Sequence, residues 1–258
     1  MKKGLKIVIA VVAACILGMA VFAIFSLNAE RHRELACSGL KVEFADKFNF
    51  VTAEDIEGYL NKEYGAYIGQ RLDSVDLMKV ETILGRKSAI LRAEAFTTPD
   101  GKLNVKIYQR EPSVRFQKGD NGFYADSEGF LFPLQDNYRS KVPIIDGDIP
   151  LSIESGYKGQ PKTESERDWL QKVIAMVGYI QGSKTWSENI SQISVRKNGD
   201  LVMVPRHGKE LFILGQPVDI EDKFSRIGKY YSSIVPEKGE GYYSTVNVKF
   251  DGQIVCRK

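Results

Sequence analysis

Two histidines, three cysteines and two close pairs of carboxylates are the side chains here whose types lend themselves to chemistry. His32 lies in the cluster Glu30-Arg31-His32-Arg33-Glu34, and His207 in the turn-like run Pro205-Arg206-His207-Gly208. A histidine base needs a nucleophile or an orienting partner, and a histidine ligand needs companions at turn or helix spacing. Neither histidine has one, and no HExxH, GxSxG, SxxK or paired-cysteine pattern occurs. Asp146 and Asp148 sit in a loop whose geometry carboxylates favour, and Glu221 with Asp222 opens a helix, where the dipole favours them. A cell-wall hydrolase acting on sugars would need two carboxylates converging on one cleft, which this spacing does not call for. The chain is therefore expected to be no enzyme, with no cofactor, no metal and no small-molecule substrate.

The charge balance removes another class. Of 258 residues, 36 are Lys or Arg and 33 are Asp or Glu. Lys2, Lys3 and Lys6 precede the first acidic residue, Glu30, so everything after residue 29 sums to zero charge. A neutral body without a basic run lacks the electrostatic footprint of a nucleic-acid binder.

The apolar run from Ile7 to Phe25, uncharged on to Ala29, is long enough for a helix to cross a bilayer. The lysines before it place the N-terminus in the cytoplasm by the positive-inside rule. A cleaved signal peptide is the rival reading, with Leu27-Asn28-Ala29 as cleavage site, but the run is longer than such a segment needs. A lipoprotein signal at Val12-Ala13-Ala14-Cys15 is a second rival; the apolar run continues past Cys15 where a polar tether belongs. The expected organisation is a cytoplasmic tail (1–6), a transmembrane helix (7–29), a linker (30–36) and two exported domains (37–111 and 112–258). Cys37 and Cys256 would share an oxidising compartment, but nothing in the sequence brings them within bridging distance.

The elements follow from periodicity. Leu40, Val42 and Phe44 alternate as a strand, Thr52 can cap a helix carrying Ile56, Tyr59 and Leu60, and the run Asp73 to Asp76 can start a second helix with Leu77, Val80, Ile83 and Leu84. Ile90 to Thr97 and Leu103 to Tyr108 flank the turn Thr98-Pro99-Asp100-Gly101, a hairpin signal. That is strand-helix-helix-strand-strand, closed by Glu111-Pro112. In the second domain GFYADSEGFLFPL reads as a hairpin about Asp126 to Gly129. Thr163 and Glu166 form a capping box for a helix burying Trp169, Leu170, Val173, Ile174 and Val177 until Gly182. Asn198-Gly199 joins two strands, Leu211 to Leu214 is a third, and a second helix starts near Asp219. The closing VNVKFDGQIVCRK alternates as a half-buried strand. The fold class is α+β: a membrane helix, then the five-element unit, then a β-rich domain with a mostly antiparallel sheet and two helices.

No later long element covers the outer side of Thr245 to Phe250. That strand can offer a free edge to a partner strand, or it can be paired on both sides within its own sheet. Asp251-Gly252 can also form a hairpin turn, which would fold Gln253 to Arg257 back onto that edge.

The order of these pieces, with LDSVDLMKVETILGRKSAILRAEAFTTPDGKLNVKIYQREPSVRF leading into GFYADSEGFLFPL and a closing VNVKFDGQIV, resembles the bacterial cell-division family FtsQ, also called DivIB. Residues 37–111 resemble its POTRA domain. The resemblance implies a non-enzymatic scaffold in the inner membrane at the septum, with its bulk in the periplasm. Its implied partners are FtsB-like and FtsL-like division proteins, and through them the septal synthase FtsW with the transpeptidase FtsI. It further implies that Thr245, Val246, Asn247, Val248, Lys249 and Phe250 make the FtsB-like contact. The alternative is a POTRA-bearing protein of transport or outer-membrane assembly, which should carry several such units or a long barrel sequence.

Overall fold

The computed structural model describes residues 15–23 and 35–258. Residues 15–23 are helical and exposed. Among the described residues no helix is long and apolar enough to cross a membrane. The remainder of the expected span 7–29, and His32, lie outside them. The chain divides into two compact units: residues up to Lys47 with Val51–Gln109, and Phe48–Phe50 with Arg110–Lys258.

The first unit runs β1 (Gly39–Phe44), α1 (Ala53–Glu63), α2 (Leu77–Gly85), β2 (Ile90–Thr97) and β3 (Lys102–Gln109), the order that the periodicity predicts. α1 starts where the Thr52 hydroxyl accepts the Asp55 N–H at 3.2 Å and the Asp55 carboxylate accepts the Thr52 N–H at 2.9 Å. This satisfies two donors that a helix end otherwise leaves orphaned. At α2 the Asp76 carboxylate accepts the Lys79 N–H at 2.9 Å. The β2–β3 turn closes with Gly101 at φ 83°, a conformation that residues with a Cβ resist. β3 lies at the centre, parallel to β1 and antiparallel to β2. Its residues Leu103, Val105 and Ile107 are buried, as are Ile56, Leu60, Val80, Ile83 and Leu84 of the helices.

The second unit holds β4 (Pro112–Lys118), β5 (Asn121–Asp126), β6 (Leu131–Pro133), β7 (Ile144–Gly147), α3 (Glu164–Gly182), α4 (Lys184–Asn189), β8 (Ile190–Val195), β9 (Leu201–Pro205), β10 (Leu211–Gly215), α5 (Ile220–Lys229), α6 (Val235–Lys238), β11 (Thr245–Asn247) and β12 (Val255–Arg257). They form one nine-stranded sheet in the order β12-β11-β10-β9-β8-β7-β4-β5-β6. Most neighbours are antiparallel; β4–β7, β7–β8 and β10–β11 are parallel. The last two of these span helical crossovers, the usual connection between parallel neighbours, whereas β4 and β7 are joined through β5 and β6. Trp169, Leu170, Val173 and Met176 of α3 and Phe224 and Ile227 of α5 share one core with Phe116, Ile145, Ile193, Phe212 and Val246 of the sheet.

The sequence predicts two helices here and the structure holds more. Ser183 ends α3 and caps α4, its hydroxyl accepting the Trp186 N–H at 3.4 Å. α5 runs on through a π-helical turn, Tyr230–Ile234, into α6.

The α3 cap does double duty. Glu166 accepts the Thr163 N–H at 3.1 Å and also the Ser152 N–H at 2.7 Å, so one carboxylate ties the helix start to the preceding loop. Burial would raise its pKa, but these donors outweigh burial and hold it below the usual carboxylate value. A depressed folded-state pKa stabilises the fold above the unfolded value, about 4.3, and the benefit is lost as pH falls through the folded value. Glu166→Gln should therefore melt below wild type near neutral pH, with the gap closing below about pH 4. A gap of equal size at both ends of a pH series of thermal melts would exclude the charge as its cause.

Candidate partner-binding edge

The structure corrects the expected free edge. Thr245, Val246 and Asn247 form β11, which is paired on both sides: with Leu211, Phe212 and Ile213 of β10, and with Arg257, Cys256 and Val255 of β12. Asp251-Gly252 is the turn, with Gly252 at φ 63°, and it returns the chain as the edge strand. Val248 is buried and outside β11, its carbonyl accepting the Arg226 guanidinium at 3.0 and 3.3 Å. Lys249 gives its N–H to the Asn247 side chain at 3.0 Å and its ammonium to Asp200 at 3.0 Å. Phe250 is 48% exposed, so the apolar alternation read from sequence ends at Val248.

The register fixes which backbone groups remain free. The Leu211 N–H reaches the Ser244 carbonyl at 2.9 Å and the Val248 N–H reaches the Ile213 carbonyl at 3.0 Å. These bonds turn the main chain of Val246 towards β10, and that of Thr245 and Asn247 towards β12, opposite Arg257 and Val255. By strand alternation the N–H and C=O of Cys256 then point away from β11, to the outside of the sheet. Its half-buried side chain packs against the core, and burial pushes its thiol pKa up, so it sits there as a neutral small residue. Val255 and Arg257 are exposed.

Side chains flank this edge at both ends. Phe250 lies in the turn with the Lys249 ammonium 5.2 Å from its ring centre, and Tyr242 lies beside the Lys258 ammonium at 4.3 Å. Tyr242, Phe250 and Val255 are among the few large apolar side chains that the second unit exposes. The opposite edge is closed: β6 ends at Pro133, which has no N–H, and Leu131 exchanges two bonds with Gly159 at 2.9 and 3.0 Å. Of the two terminal strands of this sheet, β12 is the one that offers an uncovered edge, centred on an outward main-chain pair.

The chemistry-bearing residues do not converge. The Asp146 carboxylate is bonded to the Gln192 amide, Glu221 and Asp222 lie in the first turn of α5, and His207 is exposed. Among the described residues no group of His, Cys, Asp or Glu is gathered as a metal site, and Cys15, Cys37 and Cys256 are free thiols. Of the two readings that the sequence left open, the Asp251-Gly252 hairpin is the one realised, with Val255–Arg257 of the returning segment forming β12.

Comparison with known proteins gives two matches. Residues 35–108 match the POTRA-like domain, and residues 111–257 match the family described as FtsQ/DivIB, C-terminal related. No curated protein matches the chain. The second match covers more than half of the sequence and takes in the nine-stranded sheet from β4 to its open edge, and on that ground the chain belongs to the FtsQ/DivIB family.

Proposed function

We propose that this division-associated protein is a single-pass scaffold of the bacterial divisome, with its N-terminus in the cytoplasm and its two units in the periplasm. It binds FtsB-like and FtsL-like partners and through them helps control septal peptidoglycan synthesis by FtsW and FtsI. The observation that carries the binding mode is the open β12 edge, where a partner strand can add to the sheet through main-chain bonds. The contact is centred on Val255–Arg257. Of the six residues first expected, Lys249 and Phe250 flank the added strand, while Thr245, Val246, Asn247 and Val248 carry and hold β12 in place. The families matched are generally scaffolding domains without catalysis, which supports a connector over a hydrolase.

Photocrosslinking in living cells tests the assignment. A photoreactive residue at Arg257 or Phe250 should capture a small single-pass division protein, and one at exposed Ile68 in the first unit should not capture the same species. Capture at Ile68 with none at Arg257 or Phe250 would leave the scaffold and remove the edge.

A further inference from the structure

The nine-stranded sheet comes apart at one end between β7 and β8. Their ladder begins at Ile145 opposite Ile193, and no pairing precedes it. Pro143 has no N–H to offer, and its carbonyl is turned to β4, where it accepts the Arg115 N–H at 3.0 Å. β8 meanwhile extends outward as Ile190–Gln192 against β9 alone, with an irregular register between Ile190 and Gln192. The opening forms a cavity of about 550 Å³ with Ile180, Ile190 and Ile193 among its apolar lining and Lys141 and Arg206 as its cations.

The charge of this cavity is one-sided. Lys141 is exposed and makes no ion pair or hydrogen bond among the described residues. Arg206 donates its Nε to the Glu188 carbonyl at 2.9 Å and has no carboxylate partner among them. The nearby Asp146 carboxylate is already engaged by Gln192. A second cavity of about 370 Å³ shares Ile190 and is largely apolar, lined by Trp186, Met203, Pro205 and Tyr231.

We propose that this opening docks an extended peptide segment of a partner protein that carries a carboxylate beside a large apolar side chain, at a place separate from the β12 edge. The strand overhang suits an extended chain, the two uncompensated cations select a carboxylate, and the adjoining apolar cavity takes the neighbouring side chain. A polyanion is the poorer occupant, because the body after residue 29 has equal numbers of acidic and basic residues and so no long-range field to hold one.

The test uses the full-length protein in lipid nanodiscs and a pool of randomised hexapeptides, acetylated and amidated so that every carboxylate comes from a side chain. Bound peptides are sequenced by mass spectrometry for wild type, Lys141→Glu, Arg206→Gln and Cys256→Pro. The expected result is an enrichment of Asp or Glu of roughly tenfold at one position next to an apolar residue, the scale of one charge-assisted hydrogen bond. It should vanish in Lys141→Glu, weaken in Arg206→Gln and persist in Cys256→Pro. Because Lys141 is exposed and without partners, its variant should melt with wild type. Loss of the enrichment in Cys256→Pro alone would assign the peptides to the β12 edge and overturn the proposal. Apolar enrichment without an acidic position would overturn it too, as would a dimer of this chain that Lys141→Glu dissociates.

Discussion

Cys256→Pro is expected to abolish partner capture while the sheet stays folded. The Cys256 N–H points away from β11, so a proline there removes a donor that the sheet itself does not use. An added strand would be left with an unsatisfied carbonyl, costing about 1–3 kcal/mol, or roughly five- to a hundredfold in affinity, before any clash of the ring. Arg257→Pro should behave differently, because the Arg257 main chain faces Thr245 and its loss frees β12 from β11. Cys256→Val keeps the backbone donor and should capture normally. Crosslinking yield from Phe250, read beside a thermal melt of each variant, separates these outcomes. Full capture by Cys256→Pro would rule out strand addition at β12.

Asp126→Ala should lower stability more than any other single change considered for the second unit. Its Oδ2 lies 2.8 Å from the Arg110 guanidinium, and the two side chains are only 9% and 11% exposed. Its other oxygen accepts the Glu128 and Phe130 N–H groups at 3.0 and 2.9 Å, which shapes the β5–β6 turn. Arg110 in turn stacks on Phe130, 3.6 Å from the ring centre. Removing the carboxylate leaves a buried cation and two amides without their acceptor. Breaking such a pair from one side typically costs about 3–5 kcal/mol, which in a domain of this size lowers the melting temperature by about 10 °C. Arg110→Met with Asp126→Asn should recover part of the loss, since no charge then stays buried alone. A drop of about 2 °C or less for Asp126→Ala would mean that water replaces the carboxylate at no cost.

The local features were written in the sequence because each rests on residues within one turn of one another. Thr52 with Asp55, Thr163 with Glu166, and the Thr98–Gly101 turn each satisfy backbone groups a few positions away, so their residue types alone announced helix starts and a hairpin. The alternation of Leu103, Val105 and Ile107 announced a strand with one buried face for the same reason. Which strand lies beside which is set by packing across long stretches of chain. β1 pairs with β3 some sixty positions on, β7 sits between β4 and β8, and β11 enters beside β10 only after a helix has crossed the core.

The candidate site shows the same division. Thr245 to Asn247 was legible as strand-forming, and Asp251-Gly252 as a turn, from side-chain type alone, whereas the expected extension of the strand to Phe250 was not realised. Whether that strand kept a free edge depended on whether Val255, Cys256 and Arg257 returned against it. Such a short run carries almost no pattern of its own and is held by bonds to β11 and by the Arg226 and Lys249 contacts that fix the turn's base. Composition and spacing thus determined an α+β chain with a strand-helix-helix-strand-strand unit followed by a β-rich one. The tertiary structure decided which main-chain groups stay unpaired, because a hydrogen-bonding edge is defined by the neighbours that a strand lacks.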